Sequence, residues 1–494
     1  MALDAVRFRM PHAVRDVLAR LNGAHEKPSW LVGGCVRDAV LNRVIKDWDI
    51  ATPLTPDEVT ALFEHVVPTG KDYGTVTVMD GGLAVEVTTF RSDGAYSDGR
   101  RPDSVTFTTD VLADLARRDF RMNAVAVNPL ADDADAQVCD PYGGLSDIHV
   151  GVIQAVGNPM DRFREDGLRV IRAVRFAAQL EFRIADLTAI ALERSGPYLA
   201  QVAAERVRDE LNKILLSRFP QRGMRDLHRH DLLCVVLPEM VDAIGCEQNR
   251  HHEYDVWDHS LATLGILTRN KYQSLQMRLA GLLHDIGKPT TRALKEDEPY
   301  KGEATFHGHE VAGAEIAAAV MDRLKYPTED KEYVVALVAN HMWNESQTKT
   351  DAGLRRLIRK IGKERFQDQM TLRLADTLAK GQHAEDPSAR LDAISTRAEE
   401  IMARKDPLDT RMLAINGRDV MEVLGIPEGR AVGRVLNNLL EIVLAYPEEN
   451  TRERLLAWTK EHGDKFAAGD VAVIENLSLH VKPSVAERMY AQDQ

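Results

Sequence analysis

Asp47 and Asp49, in LVGGCVRDAVLNRVIKDWDIAT (residues 31–52), stand two apart in a short apolar stretch, with Trp48 between them and Ile50 after. On a β-strand, positions two apart share a face. Both carboxylates then point the same way and can grip divalent metal together. Hard cations such as Mg2+ take oxygen ligands and often carry substrate phosphates with them. Upstream, Gly33 and Gly34 open a turn into a helix expected from about Val36, and glycines there let backbone N–H groups approach phosphate. A phosphate cradle followed by paired carboxylates implies nucleotidyl transfer. Taken alone, the pair also fits a solvated acidic turn.

Other residues could join this site. In LAVEVTTF (residues 83–90) alternation puts Ala84, Glu86 and Thr88 on one face, so a strand beside the first would bring Glu86 in as a third carboxylate. RRDFRMNA (residues 117–124) offers an Arg, an Asp and an Asn that could hold a triphosphate and a ribose hydroxyl. In EDGLRVIRAVRF (residues 165–176), Arg162, Glu165, Arg169 and Arg172 fall on one helical arc with Asp166 beside it. Val170, Ile171, Val174 and Ala178 fall on the opposite, core-facing arc. On periodicity alone this reads first as an ion-paired surface helix.

A second set lies downstream: His259 in VWDHSL, His284 and Asp285 in LAGLLHDIGKP, His307 and His309 in FHGHEVAGAE, His341 in ANHMW and Asp376 in LRLAD. Imidazole suits Mn, Fe, Co or Ni, and carboxylates widen the choice. A metal held there could activate water against a phosphoester.

The elements that must position these groups change type along the chain. Up to about Val150, Val- and Thr-rich runs (VVPTG, GTVTVMD, LAVEVTTF, SVTFT) alternate with helices, a small mixed α/β domain. From Asp161 onward helical patterning dominates, with Pro197, Pro220, Pro238, Pro289, Pro327 and Pro387 expected to break it. The fold class is α+β. At 494 residues the chain can bury several cores. No run is apolar enough to span a membrane and Met1–Met10 lacks a signal-peptide core. Cys35, Cys139, Cys234 and Cys246 show no close pairing, which fits a reducing cytoplasm. The net charge of −13 argues against a uniformly basic nucleic-acid binder. Local arginine excess in residues 91–101 and 162–183 leaves room for a basic face, with acidic runs kept apart at 132–135 and 296–298.

GGCVRD with KDWDIAT resembles the active-site signature of DNA polymerase β-like nucleotidyltransferases. More narrowly, it is similar to the class that unites bacterial and eukaryotic tRNA CCA-adding enzymes with bacterial poly(A) polymerases. The resemblance runs from about Leu31 to Leu456. It implies Asp47, Asp49 and Glu86 as catalytic groups on Mg2+, with Gly33, Gly34 and Arg37 at the nucleotide. RRDF implies ribose selection by Arg118, Asp119 and Asn123. The family motif similar to EDxxR implies that Asp166 and Arg169 recognise the incoming base as a protein template, with Arg172 and Arg175 as candidates for the triphosphate. RSDGAYSDGRRPDSV (residues 91–105) is by composition a loop; in the family a similar stretch is needed for the final A. DPYGGLSDI (residues 140–148), a turn by composition, is a hinge in the family. Many relatives carry His where Tyr73 stands.

The His/Asp set resembles the HD phosphohydrolase superfamily. That resemblance implies His259, His284, Asp285 and Asp376 as core ligands of a transition metal, with His309 and His341 for a second ion. The expected organisation is a catalytic head (1–148), a helical neck (149–235), an HD body (236–392) and a helical tail (393–494). The expected reaction adds CCA to tRNA from CTP and ATP, with tRNA as partner and a further HD hydrolase activity. The alternatives are a poly(A) polymerase, an A-adding enzyme, or an HD nucleotidase or phosphodiesterase with a vestigial transferase. Oligomeric state is not legible.

Overall fold

A computed structural model describes residues 10–94, 104–131, 138–249, 252–269, 274–297, 301–381 and 386–469. The acidic run at 132–135, His251, the middle of the 91–105 stretch and everything beyond 469 lie outside the described residues. The chain divides into two compact units. One comprises Met1–Glu247, Asp255–Leu282 and Ile316–Lys331; the other comprises Gln248–Tyr254, Leu283–Glu315 and Glu332–Gln494.

The first unit begins with α1 (His12–Gly23), β1 (Trp30–Val32), α2 (Gly34–Val40), β2 (Trp48–Thr52), α3 (Pro56–Leu62), β3 (Val66–Gly70), β4 (Thr75–Asp80) and β5 (Leu83–Thr89). A ribbon of β6 (Arg91–Asp93) and β7 (Val105–Phe107) follows, then α4 (Val111–Ala116), β8 (Ala126–Val127) and β9 (Val138–Cys139). Seven strands form one mixed sheet in the order β3-β4-β5-β2-β1-β8-β9, in which β2 and β5 run parallel. The alternation in β5 sorts its two faces. Val85 and Val87 are buried, joining Ile50 of β2 and Val14, Val17, Leu18 and Leu21 of α1 in one core, and Glu86 is left on the other face. Each such valine contributes about 1.5–3 kcal/mol by leaving water. Local signals agree with the elements: α3 starts at a capping box in which Thr55 and Glu58 bond each other's backbone N–H, with Pro56 as its first residue.

Helices take over with α5 (Gly144–Val150), α6 (Pro159–Glu165), α7 (Leu168–Leu180), α8 (Asp186–Glu193), α9 (Gly196–Leu199), α10 (Ala204–Leu215) and α11 (Pro220–Arg229). DPYGGLSDI is a turn only as far as Gly143, and α5 begins at Gly144 with the Asp140 carboxylate accepting from the Gly144 and Leu145 N–H groups. The single arc expected for residues 162–176 is broken. Asp166 is extended (φ −142°), and its Oδ1 accepts the N–H of Leu168 at 3.1 Å, closing α6 and capping α7. The expected core arc of α7 holds, with Val170, Ile171, Val174 and Ala178 fully buried. Pro197 and Pro220 start helices rather than break them, because a proline in the first turn gives up an N–H that has no intrahelical partner.

The second unit is built mainly of helices, including Asp351–Ile361, Phe366–Leu378, Ser388–Ala403, Gly417–Leu424, Arg430–Ala445 and Arg452–Ala468. They share a core that includes Leu354, Ile358, Phe366, Leu439, Val443 and Phe466. Arg355 is buried within it, bonded to Asp406 at 2.7 Å and to the Leu444 carbonyl at 3.0 Å. No helix among the described residues is long and apolar enough to cross a membrane.

Candidate active site

The parallel pairing of β2 and β5 sets Asp49 opposite Glu86. Both lie on the face away from the valine core, and Asp47 directly precedes β2. Asp49 and Glu86 border a cleft of about 380 Å3 whose walls also include Arg91, Arg117 and Arg118, and Asp47 is not among them. Burial, and then the neighbouring Glu86, push the Asp49 carboxyl up to about 6; Arg118 pulls the other way. Burial and Asp47 raise Glu86 as well. Carboxylates that repel one another on one face form an oxygen donor set suited to a hard divalent cation. Beside them Gly33 has φ +73°, and a Cβ there would meet Arg118 Nη1 at 3.1 Å and Asp49 Oδ2 at 3.4 Å. Glycine is therefore favoured at this turn by its conformation, and a side chain would also crowd the Arg118 guanidinium. The helix that follows starts at Gly34, two residues before the expected Val36.

Arg117 and Arg118 also border a second cleft, of about 280 Å3, together with Asp119, Asp166, Arg169, Arg172 and Arg206. A chain of polar bonds runs beside it. Arg37 Nη1 donates to Asn123 Oδ1 (2.9 Å), Asn123 Nδ2 donates to Asp119 Oδ1 (3.1 Å), and Arg172 Nη2 donates to Asp119 Oδ2 (2.6 Å). Burial works against the charged Asp119, yet Arg172 and the Asn123 bond hold its carboxyl below the usual range. Asp166 pairs with Arg206 at 3.3 Å, and Arg169 pairs with Glu165 at 2.6 Å while donating to the Arg117 carbonyl at 2.8 Å. Asp166 and Arg169 thus share a cleft, each held by a different partner. Arg175 is not among the walls of either cleft: it pairs with Glu210 at 3.1 Å and lies over the Phe176 ring.

The second unit brings five of the His/Asp residues together. Asp285 Oδ1 lies 3.3 Å from His309 Nε2 and 3.5 Å from His341 Nε2, and those two nitrogens are 3.1 Å apart. Three ligand atoms, one each from Asp285, His309 and His341, lie within 4.8 Å of one another, and all three residues are buried. His284 Nε2 is 3.2 Å from Asp285 Oδ2 and 3.8 Å from Asp376 Oδ1. The Nδ1 atoms of His309 and His341 each lie 2.7 Å from a backbone carbonyl, those of Phe306 and Val338. Donation there would turn both Nε2 lone pairs inward, the orientation a metal needs. Burial lowers His341, which favours the neutral, ligating form. Burial opposes the charge on Asp285, but His284 and Lys288 hold its carboxyl well below the usual range. Gly287 in HDIGKP admits no side chain, since a Cβ would strike the His309 carbonyl and Gly313. His259 is buried on the helix Val256–Arg269 of the first unit, and His307 is exposed.

A third concavity in the first unit, about 630 Å3, is walled by Arg218, Arg222, Arg225, Arg229 and Arg269 around the buried Asp226. Arg222 and Arg229 lean on Asp226, at 3.6 and 3.1 Å, and Arg225 pairs with Asp258 at 2.7 Å. Cations outnumber anions here, in a chain whose net charge is −13.

Three family descriptions match in order: the poly A polymerase head domain over residues 29–154, the "probable RNA and SrmB- binding site of polymerase A" over 181–244, and the HD domain over 256–381. The CCA-adding enzyme of Limosilactobacillus reuteri (strain DSM 20016) is 45% identical over 212 residues, 43% of this chain and 51% of that enzyme. This match spans about half the length of that relative. The CCA-adding enzyme of Geobacillus kaustophilus (strain HTA426) is 33% identical over 439 residues, 88% of this chain and 94% of that enzyme. The chain belongs to the CCA-adding enzyme family. The crystal structure of the Bacillus stearothermophilus CCA-adding enzyme in complex with CTP matches with a TM-score of 0.67 at 27% identity, covering 93% of this chain and 98% of that one.

Within this CCA-adding family chain, sequence reasoning overlooked several polar partners. Asp114 carries Arg117 and Arg118, Arg206 holds Asp166, Glu210 takes Arg175, and Lys288 Nζ reaches Asp285 at 2.6 Å. Asp114 was findable, since it stands three and four residues before two arginines, the spacing of ion pairs on a helix. Arg206 and Glu210 were not, because their partners are distant in the chain.

Proposed function

We propose that this protein adds C, C and A in turn to the 3′ end of tRNA from CTP and ATP, without a nucleic-acid template. The observation that carries this reading is the wall of Arg117 and Arg118, shared by the carboxylate cleft and the cleft of Asp166 and Arg169. One nucleotide can lie across it, triphosphate towards the carboxylates and base towards Asp166 and Arg169. An Asp accepts from the exocyclic amine of C or A, and an Arg donates to ring nitrogen or carbonyl; U and G present other patterns. Asp119 and Asn123 would hold the ribose, and Arg37 and Gly33 border the triphosphate.

Asp47, Asp49 and Glu86 would hold Mg2+, which when bound lowers the pKa of the RNA 3′-hydroxyl and stabilises the leaving pyrophosphate. The hydroxyl oxygen, its proton passing to water, attacks the α-phosphorus as the bond to pyrophosphate breaks. The arginines orient the triphosphate and neutralise charge that builds on it, so catalysis is positioning plus electrostatics. The arginine-walled groove would receive RNA phosphates, and the reaction would run in the cytoplasm.

At the other site we propose a metal-dependent phosphohydrolase. Within the second unit His284, Asp285 and Asp376 would hold a transition metal, with His309 and His341 available to a second ion. The deciding experiment incubates the protein with tRNA ending before the first C, after C and after CC, each with one labelled nucleotide. Stepwise C, C and A followed by a stop is expected. Extension only of tRNA ending in CC, or a long A tail, overturns the reading in favour of A addition or poly(A) synthesis.

A further inference from the structure

We infer that Asp114 is a positioning residue for nucleotidyl transfer: its one buried carboxylate sets the guanidinium groups of Arg117 and Arg118 in the wall that the two clefts share. This rests on the reading of those clefts as the transferase site.

Asp114 lies on α4 and is fully buried. Its two oxygens are divided between the two arginines. Oδ1 accepts from Arg117 Nε (2.9 Å) and Nη2 (2.6 Å), and Oδ2 accepts from Arg118 Nε (3.3 Å) and Nη2 (2.9 Å). Burial disfavours its charge, but Arg118 and Arg117 outweigh burial and hold its carboxyl below the ordinary range. Asp114 is therefore ionised at any working pH.

Consecutive residues at a helix end point their side chains about 100° apart. Two adjacent arginines left to themselves would splay and repel. A single acceptor beneath both draws the two forks to one wall, at a position fixed by four charge-assisted bonds. Asp114 borders neither cleft, so it acts through the arginines.

The backbone extends the same support. The Ala116 carbonyl accepts from Arg162 Nη1 (3.0 Å) and the Arg117 carbonyl accepts from Arg169 Nη2 (2.8 Å). The last turn of α4 is thus tied through Asp114 to the phosphate-facing arginines and through its carbonyls to the base-facing Arg169. Loss of the Asp114 bonds releases the two guanidinium groups, while Arg169 keeps its pairing with Glu165 and Asp166 its pairing with Arg206. A displacement of about 1 Å at a positioned reactant can cost roughly 100-fold in rate.

The test uses the full chain with Asp114→Glu and Asp114→Asn. Single-turnover rates are measured for C addition to tRNA lacking CCA and for A addition to tRNA ending in CC, with the active fraction taken from the burst amplitude. We expect Asp114→Asn to slow both additions by about 100-fold per active site. Asp114→Glu, which keeps both oxygens, should fall between Asn and wild type. The preference for CTP over UTP should stay within about threefold of wild type, because the base-reading side chains are untouched. A loss confined to the active fraction, with the per-site rate unchanged, would make Asp114 a plain fold support and overturn the inference. So would a loss of base discrimination at an unchanged rate. If Asp114→Asn does not fold, Asp114→Glu decides, and a wild-type per-site rate in that variant sinks the proposal. A wild-type protein that adds no nucleotide to tRNA would instead overturn the transferase reading itself.

Discussion

Asp49 and Glu86 face each other across a parallel strand pair, and Asp49 titrates near 6 because burial and that neighbour both resist its charge. Carboxylates so placed are a strain on the fold that a cation relieves. Asp49→Ala and Asp47→Ala should each remove nucleotide addition, by at least about 100-fold, with thermal stability unchanged or raised. CTP incorporation near the wild-type level in either variant would reject the metal assignment.

Metal chemistry at the His/Asp cluster should be separable. His284→Ala and Asp285→Ala should abolish metal-dependent phosphatase or 2′,3′-cyclic phosphodiesterase activity while leaving CTP addition within about threefold of wild type, since the two sites share no ligand and no partner. A parallel fall in both activities, with structure retained by circular dichroism, would contradict independent sites.

Base reading gives a different signature from phosphate binding. Asp166→Ala should begin to incorporate UTP and GTP before triphosphate affinity falls, because losing a polar partner relaxes rejection as well as recognition. Competition between CTP and UTP on one tRNA measures this, and an unaltered CTP preference would remove Asp166 from that role. Shortening the segment between Ser92 and Asp103 should spare CC addition and block the final A.

The Arg172–Asp119 pair predicts a pH dependence of stability. Asp119 sits below its ordinary value of 3.8, so its contribution is full above that value and is lost as pH falls towards the lower folded one. In Arg172→Ala the carboxylate stays buried without this cation, and acid then relieves rather than harms it. The stability gap between wild type and variant should be widest at neutral pH and narrow below about pH 4. Urea unfolding at both pH values checks the sign; a gap that widens in acid would contradict it.

The arginine groove predicts salt-dependent RNA affinity. Arg225→Glu with Arg229→Glu should weaken tRNA binding and flatten the slope of log affinity against log salt by about 2, roughly one for each phosphate deprived of its arginine. CTP binding should not change. An unchanged tRNA slope would remove this groove from the RNA path.

Much of this was legible in the residues because the chemistry is local. The Asp47/Asp49 spacing, the alternation around Glu86 and the buried arc of α7 each need only a few consecutive residues to read. The break at Asp166 was misread because the 100° rule makes no allowance for a side chain that bonds its own backbone two residues on. Pro220 was read as a breaker when its position made it a starter. The partners of Asp166 and Arg175 came from α10, some forty residues away, where no local pattern reports them.

The gap between α6 and α7 has an outcome of its own. Asp166 and Gly167 belong to neither helical run, so their torsions are a joint between two stiff rods. Rotation there moves the Asp166 carboxylate at the cost of its bond to Leu168, its hold on Arg206 and the turn bonds that the Asp166 and Gly167 carbonyls accept from the Arg169 and Val170 N–H groups. On the proposed base-reading role, one side chain at two settings meets a pyrimidine and the larger purine. An unbroken helix through residue 166 would have allowed only one.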